Sequence, residues 1–277
     1  MVVLVEPRIS GLHADKVVKK IGLPRSHRVE ANGFSGGIWL LWSDRVEVKI
    51  LVNPRQFIHS VIKMGDEDMN FLFTAIYGSP NPALRESLWQ DLSTTMENCH
   101  RPWLLAGDFN ATLQLDDRKG GARRGLPGCA SFQSFVQTNS LIDLGFVGPK
   151  YTWRRGTLLV RFDRALANSN WAASFPCSTV HHLPKLKSDH RPLLVNFGLE
   201  AQKPRRERPF KFLASWVCHP QFNQLVRESW ADDKKKAYLR TSNSSLQKPR
   251  SGIQRFLVTL AAGKTSQGKT LGHSKSP

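Results

Sequence analysis

Three things are scarce in this chain: acidic residues, cysteine and uninterrupted hydrophobic sequence. Asp and Glu total 22 against 40 Lys and Arg, a formal charge of +18 at pH 7. So few carboxylates argue against cationic substrates and suit a polyanionic partner. The four cysteines, Cys99, Cys129, Cys177 and Cys218, lie far apart with no Cys-x-x-Cys pair. That excludes a compact disulfide framework, argues against a zinc site, and fits free thiols in a reducing compartment. No stretch reaches the roughly 18 consecutive apolar residues of a membrane span. After Met1 only four apolar residues precede Glu6, too few for the hydrophobic part of a signal peptide. The expectation is an intracellular protein, nuclear or cytoplasmic rather than secreted, with no membrane contact and no zinc; its oligomeric state is left open.

What is present is enough for a real core: 277 residues, 40% of them hydrophobic. That fits one large domain or one domain with an appendage. From Ala201 onward there are 16 Lys and Arg against 4 Asp and Glu; the first 200 residues hold the remaining 24 and 18. The excess of positive charge is therefore +12 in the tail and +6 in the body, and a basic tail on a basic body strengthens the case for a polyanion. Short β-branched and aromatic runs predict strands at Val2–Val5, Ile38–Trp42, Val46–Val52, Phe57–Lys63, Phe71–Tyr77, Trp103–Ala106, Val160–Leu166, Thr179–Leu183 and Pro192–Phe197. Helices are predicted at Pro82–Cys99, with Leu84, Leu88, Leu92 and Met96 at steps of four, at Gly128–Ser140, with Phe132, Phe135 and Val136 on one face, and at Asn168–Phe175. Many strands with few helices between them predict an α+β sandwich. Three parts are expected: a domain over 1–199, a basic linker and amphipathic helix over 200–232, and a basic, disordered tail over 233–277.

The most informative segment is Gly107-Asp108-Phe109-Asn110, directly after the apolar run Trp103–Ala106. Asp and Asn are ordinary turn residues. At a strand's mouth, two residues apart, they can also grip a hard cation or a water beside a phosphate. Other strand ends repeat the pattern. Val2–Val5 ends in Glu6, Phe71–Ile76 in Tyr77-Gly78-Ser79-Pro80, Val160–Phe162 leads to Asp163, and Asp189-His190 precedes Pro192–Phe197. If the strands lie side by side, Glu6, Tyr77, Asp108, Asn110, Asp163, Asp189 and His190 line one rim.

Taken in order, these strings resemble the endonuclease/exonuclease/phosphatase superfamily of DNase I-like enzymes. Within it the chain resembles the endonuclease domain of plant LINE-type (non-LTR) retrotransposon polyproteins over residues 1 to about 199. Supporting strings are Leu4-Val5-Glu6, Gly36-Gly37-Ile38, Asp143-Leu144-Gly145-Phe146, Tyr151-Thr152-Trp153, Arg161-Phe162-Asp163-Arg164 and Ser188-Asp189-His190-Arg191-Pro192. The resemblance implies a four-layer α/β sandwich of two mainly antiparallel sheets flanked by helices, and magnesium- or manganese-dependent cleavage of DNA. It implies Glu6 as metal ligand and Tyr77 as phosphate contact. Asp108 and Asn110 position or activate water, Asp189 acts as a metal or His-orienting carboxylate, and His190 is the catalytic histidine held by Asp163. Which carboxylate is the general base stays open. The family's usual first strand, with its Asn, and first helix have no counterpart before Met1. The expectation is therefore a chain truncated at both ends, an impaired endonuclease whose neighbouring strands keep unpaired backbone groups. Alternatives are a non-catalytic nucleic-acid-binding remnant and a phosphomonoesterase.

Further candidates are weaker. Arg118, Lys119, Arg123 and Arg124 form a basic, Gly-containing loop that can meet phosphates or simply solvent. Trp153, Trp39 and Trp42 can stack on bases or pack a core. His181 and His182 point to opposite faces of a strand and cannot share one metal without a bulge. Gly263–Thr270 matches the phosphate-loop pattern letter for letter, but only seven residues follow it, too few for the helix such a loop needs.

Overall fold

The structure is a computed structural model that describes residues 1–32, 36–64, 69–96, 99–121, 129–186, 188–197 and 254–260. Its first sheet contains, in chain order, β1 (Val2–Val5), β2 (Arg25–Val29), β3 (Ile38–Trp42), β13 (Thr179–His182), β14 (Leu193–Phe197) and β15 (Gln254–Leu260). The second contains β4 (Val46–Val52), β5 (Phe57–Met64), β6 (Met69–Tyr77), β7 (Trp103–Asp108), β9 (Ile142–Asp143) and β12 (Asp163–Ala167). A small third sheet is built from β8 (Arg118–Lys119), β10 (Trp153–Arg155) and β11 (Leu158–Val160). Spatial orders are β13-β14-β15-β1-β3-β2, β4-β5-β6-β7-β12-β9 and β10-β11-β8. All strand pairs among the described residues are antiparallel except β1–β15 and β6–β7.

The two-residue pleat of a strand explains how the layers stack. On β3, Ile38, Leu40 and Trp42 join the core shared by the two large sheets, while Trp39 and Leu41 face outward. On β7, Leu104 and Ala106 face the shared core, and Trp103 and Leu105 the opposite side. Helix α1 (Gly11–Ile21) covers the outer face of the first sheet, packing Ala14, Val17 and Val18 near Trp39 and Leu41. Helices α2 (Pro82–Met96) and α3 (Ala130–Thr138) cover the second with Leu88, Trp89, Leu92, Phe132, Phe135 and Val136. The result is the expected α+β sandwich in four layers. A short helix, α4 (Ser169–Ser174), is capped by Asn168, whose side chain accepts from the Trp171 and Trp103 amides. Among the described residues no helix is long and apolar enough to cross a membrane.

The differences from expectation have physical causes. The predicted run of four leucine-type positions on α2 does not form one buried face: Leu84 is exposed while Trp89 is buried. A four-residue step overshoots a helical turn by about 40°, so the row winds out to solvent. The single strand expected over Val160–Leu166 breaks at Arg161-Phe162, where the Arg161 amide bonds Asp117 and the Phe162 carbonyl accepts from Phe109. Helix α1 and strand β2 carry mixed polar sequence and went unread; α1 buries only Ala14 fully. Most consequential is β15. It lies in the stretch expected to be disordered, yet pairs with β1 on one side and β14 on the other. The backbone of β1 is thus paired on both edges, with β3 and β15, and the expected unpaired edge is absent. The 200–232 linker and helix, Cys218 and the Gly263–Thr270 segment lie outside the described residues.

Gly107 shows how tightly β6 and β7 approach. Its φ is +149°, and a Cβ there would lie 2.1 Å from the Ile76 carbonyl oxygen. Gly107→Ala is expected to destabilise the fold by about 2–4 kcal/mol, combining strained backbone with a main-chain overlap. Urea denaturation checks this; an unchanged midpoint would place β6 and β7 farther apart.

Candidate active site

The same pleat that sorts the core also builds the site. Residues 71, 73, 75 and 77 of β6 face the shared core, as do 104 and 106 of β7 and 165 and 167 of β12. Continuing each series to the strand end puts Tyr77, Asp108 and Asp163 on that same inward face. They are register partners: Tyr77 sits beside Asp108, and Asp108 beside Asp163. All three are buried. A row of three polar groups thus closes the mouth between the sheets where apolar side chains filled it deeper in.

Asp108 is held from one side by Asn110. The Asn110 amide donates to one carboxylate oxygen at 2.8 Å, and its Nδ2 donates to the other at 2.8 Å and to the Gly78 carbonyl at 2.9 Å. Asn110 reaches this pose with φ 48°, a left-handed conformation that Asn tolerates better than most residues. Burial pushes the Asp108 carboxyl up to about 7; the charges of Asp163 and Glu6 add to this, while His190 and the Asn110 amide oppose it.

His190 closes the mouth, just before β14. Its Nδ1 lies 2.8 Å from an Asp163 carboxylate oxygen. Burial would lower the imidazole, but the charge and hydrogen bond of Asp163 outweigh it and hold it up at about 9. His190 is thus a cation near neutrality, with Nδ1–H donating to Asp163. Thr152 steadies the pair from behind: its hydroxyl oxygen accepts from the Phe162 and Asp163 amides, each at 3.1 Å. Trp153 donates from its indole to Asp189 at 2.8 Å, its ring 6.4 Å from that of His190. Asp189 is exposed, and the carboxylate orienting His190 is Asp163, which narrows the two roles left open for Asp189.

Glu6 enters from the end of β1. It and Arg8 have positive φ, 55° and 57°, and their amides donate to the carbonyls of Gly37 and Gly36. Gly37 is needed because a Cβ there would meet Pro7 at 3.0 Å, at φ +95°. The turn folds the Arg8 guanidinium onto Glu6 at 2.7 Å. That hydrogen bond raises the Arg8 pKa against its partial burial, with help from the negative charge of Glu6. Two left-handed non-glycine positions, one on either side of Pro7, store strain beside the site. Arg8 was missed in the sequence, where only the Glu-x-Arg spacing could have signalled it. The Tyr77 hydroxyl is buried with no hydrogen-bond partner; Glu6 lies beside it, short of bonding geometry. Burial first, then the Glu6 charge, pushes its ionisation far up, so Tyr77 stays a neutral donor.

Behind the mouth lies an ionic scaffold. Arg164 bridges Asp117 and Asp143, and Arg161 bonds Asp143 at 2.8 Å while lying 4.6 Å over the Phe146 ring. Phe146 in turn stacks on His182 at 4.5 Å. His182 is buried and His181 is not, so the two do face opposite ways. Trp39 and Trp42 are core residues. Of the basic candidates, Arg118 and Lys119 form β8, two strands from Trp153 in the small sheet, and Arg123 and Arg124 fall outside the described residues. The same sheet carries exposed Arg154 and Arg155 on β10, which sequence reading missed.

Comparison with known proteins follows the same lines. The sequence profile of the Endonuclease/Exonuclease/phosphatase family matches residues 4–190. Among curated proteins none matches significantly. Among solved structures, the endonuclease domain of TRAS1, a telomere-specific non-LTR retrotransposon, is 16% identical with a TM-score of 0.50, covering 73% of this chain and all of that one. The 3′ phosphatase NExo from Neisseria, bound to a product DNA hairpin, is 16% identical with a TM-score of 0.49, covering 71% of this chain and 88% of its own. Enzymes of this superfamily typically depend on a divalent cation, and the residues here fit one. The Asp108 and Asp163 carboxylates stand together at the mouth with the Glu6 carboxylate and the partnerless Tyr77 hydroxyl nearby, a surplus of oxygen donors, and the crowded Asp108 carboxyl needs positive charge to ionise; His190, being protonated, is not itself a ligand.

Two outcomes are expected. Arg164→Ala leaves the buried Asp117 with two backbone amide donors but without its counter-charge, and should cost about 3–5 kcal/mol of unfolding free energy; a loss under about 1 kcal/mol would remove the scaffold role. Stability should also fall as pH rises, because both groups bind their protons more tightly when folded. The Asp108 contribution is full below its ordinary 3.8 and lost through about 7; that of His190 is full below 6.5 and lost through about 9. Urea titrations across that range check the sign, and stability rising throughout would contradict it.

Proposed function

The chain belongs to the Endonuclease/Exonuclease/phosphatase family, and from that premise we propose that it is a magnesium-dependent endonuclease cleaving DNA phosphodiesters. The observation that carries the proposal is the buried row of Tyr77, Asp108 and Asp163 with His190 salt-bridged across it. Phosphodiester hydrolysis builds negative charge on the non-bridging oxygens and on the leaving oxygen. His190, cationic through Asp163, keeps its Nε2–H for a non-bridging oxygen. Tyr77 adds a neutral donor to the phosphate. Asp108, with a carboxyl poised near neutral pH and aimed by Asn110, takes the proton of the attacking water. Glu6 would hold the cation, with Asp189 at the outer side; Mn²⁺ would suit the same oxygen donors. When bound, the cation neutralises charge on the phosphate and assists the departing oxygen.

The substrate class rests on charge. The small sheet carries Arg154 and Arg155 on the strand of Trp153, which touches Asp189, and Arg118 and Lys119 two strands away. Such a surface suits the phosphates of a polymer flanking the scissile bond better than a small phosphomonoester. Trp153 presents a ring beside the site on which a base can stack. The ordered strings along the chain support kinship with LINE-type retrotransposon endonucleases of plants. One observation favours a second reading, nucleic-acid binding without turnover: Arg8 already supplies Glu6 with a positive charge.

Nicking of supercoiled plasmid in magnesium separates these readings. The expected outcome is cutting that chelation abolishes, and that His190→Ala or Asp108→Asn each lowers by about 10²–10⁴-fold. Salt-sensitive DNA binding with no cutting would establish the second reading. Release of inorganic phosphate from monoesters in place of nicking would move the chain among phosphatases. Cutting indifferent to both substitutions would overturn the site.

A further inference from the structure

The strand β15 sits between the two strands that carry opposite walls of the active-site mouth. On one side it pairs in parallel with β1, Val2 with Leu257 through Val5 with Leu260, and Glu6 follows Val5 directly. On the other it pairs antiparallel with β14, Phe197 with Gln254 through Leu193 with Val258, and His190 lies three residues before Leu193. Among the described residues, β15 is the only hydrogen-bonded link between β1 and β14 within their sheet. Because β15 runs parallel to β1, its last paired residue, Leu260, lies at the Glu6 end. The spacing between Glu6 and His190 therefore runs through β15.

We infer that the segment Gln254–Leu260 is a strand clamp, drawn from far along the sequence, that sets the position of Glu6 against His190. Three features support a docked strand rather than an incidental contact. It is continuous over seven residues, and the register with β14 runs unbroken over five pairs. It follows β14 only after 56 intervening residues, 198–253, so it is no simple hairpin return. And without it β1 and β14 would each present an unpaired edge beside the apolar interior, where an open backbone group is costly. The inference concerns the architecture of the site and holds whether or not the chain cuts DNA.

The experiment uses the full chain. Antiparallel register partners lie close enough for a disulfide, so Val195→Cys with Phe256→Cys should cross-link on mild oxidation. Val195→Cys with Leu257→Cys, one residue out of register, should not. In a separate variant, Val258→Pro removes a ladder hydrogen bond. Amide exchange in β1 and β14 should then quicken at least tenfold, while exchange in β5 and β6 of the other sheet stays unchanged. An added peptide spanning residues 253–261 should restore protection. Where the unmodified chain nicks DNA, nicking should fall at least tenfold in Val258→Pro and return with the peptide. No in-register cross-link, or unchanged exchange in β1 and β14, would overturn the clamp. Loss of protection in β5 and β6 as well would show general unfolding and also count against it.

Discussion

Two carboxylates, Asp108 and Asp163, are forced side by side at the buried end of β7 and β12 by the register of those strands, and the rest of the site answers that constraint. Neighbouring buried anions repel and are poorly solvated, so one must hold a proton or find a cation. The structure uses both routes. His190 brings a positive charge onto Asp163, and Asp108 shifts toward the protonated form. The same tension sets the properties of the mouth: a histidine that stays charged and a carboxyl ready to exchange a proton near neutrality.

Keeping that arrangement in place takes more than the residues that would touch substrate. Asn110 locks both oxygens of Asp108, Thr152 fixes the backbone of Asp163, and Trp153 ties down Asp189. Behind them, Arg164 is almost wholly buried between two aspartates, an expensive group to desolvate that is tolerable because both terminal nitrogens are ion-paired, though its Nε finds no partner. The glycines serve closeness: Gly78 and Gly107 sit where a methyl group would overlap main chain of the neighbouring segment. The mouth is therefore rigid on the side of the second sheet, where β6, β7 and β12 are mutually paired, and depends on more distant contacts on the side of the first.

Much of this was legible in the amino-acid order. Polar residues ending apolar runs marked Tyr77, Asp108, Asp163 and His190 as a rim, because the end of a buried strand is where a charged group can reach the surface. The pattern was blind to partners supplied by conformation. Arg8 reaches Glu6 only through two left-handed residues, which no side-chain pattern announces. Arg154 and Arg155 passed unread, because their strand is only three residues long and shows no pattern; the small sheet is what sets them two strands from Arg118 and Lys119. Strings such as Asp143-Leu144-Gly145-Phe146 gave kinship but no role; their task became visible once Arg161 and Arg164 were seen to converge on Asp143. The apolar run Phe256–Ala262 could be read as a strand, but lying in a basic, serine-rich stretch it says nothing of where it docks, and the tail as a whole read as disordered. Strand β2, at a sheet edge, was hidden for the converse reason, since edge strands carry polar sequence by nature.

The parallel pairing of Val2 with Leu257 has a consequence in time as well as in space. Strand β1 leaves the ribosome 255 residues ahead of its partner, Val2 against Leu257. Until residue 260 emerges, the first sheet exists as two separate pieces, each with an apolar open edge. Contacts this far apart in sequence form slowly, because a long loop must close before they stabilise anything. The second sheet, whose strands follow one another closely, can assemble in the meantime and display Asp108 and Asp163 to solvent. The nascent chain would thus carry half of the polar mouth until residue 260 emerges, and its exposed edges would make it a natural client for chaperones during that interval.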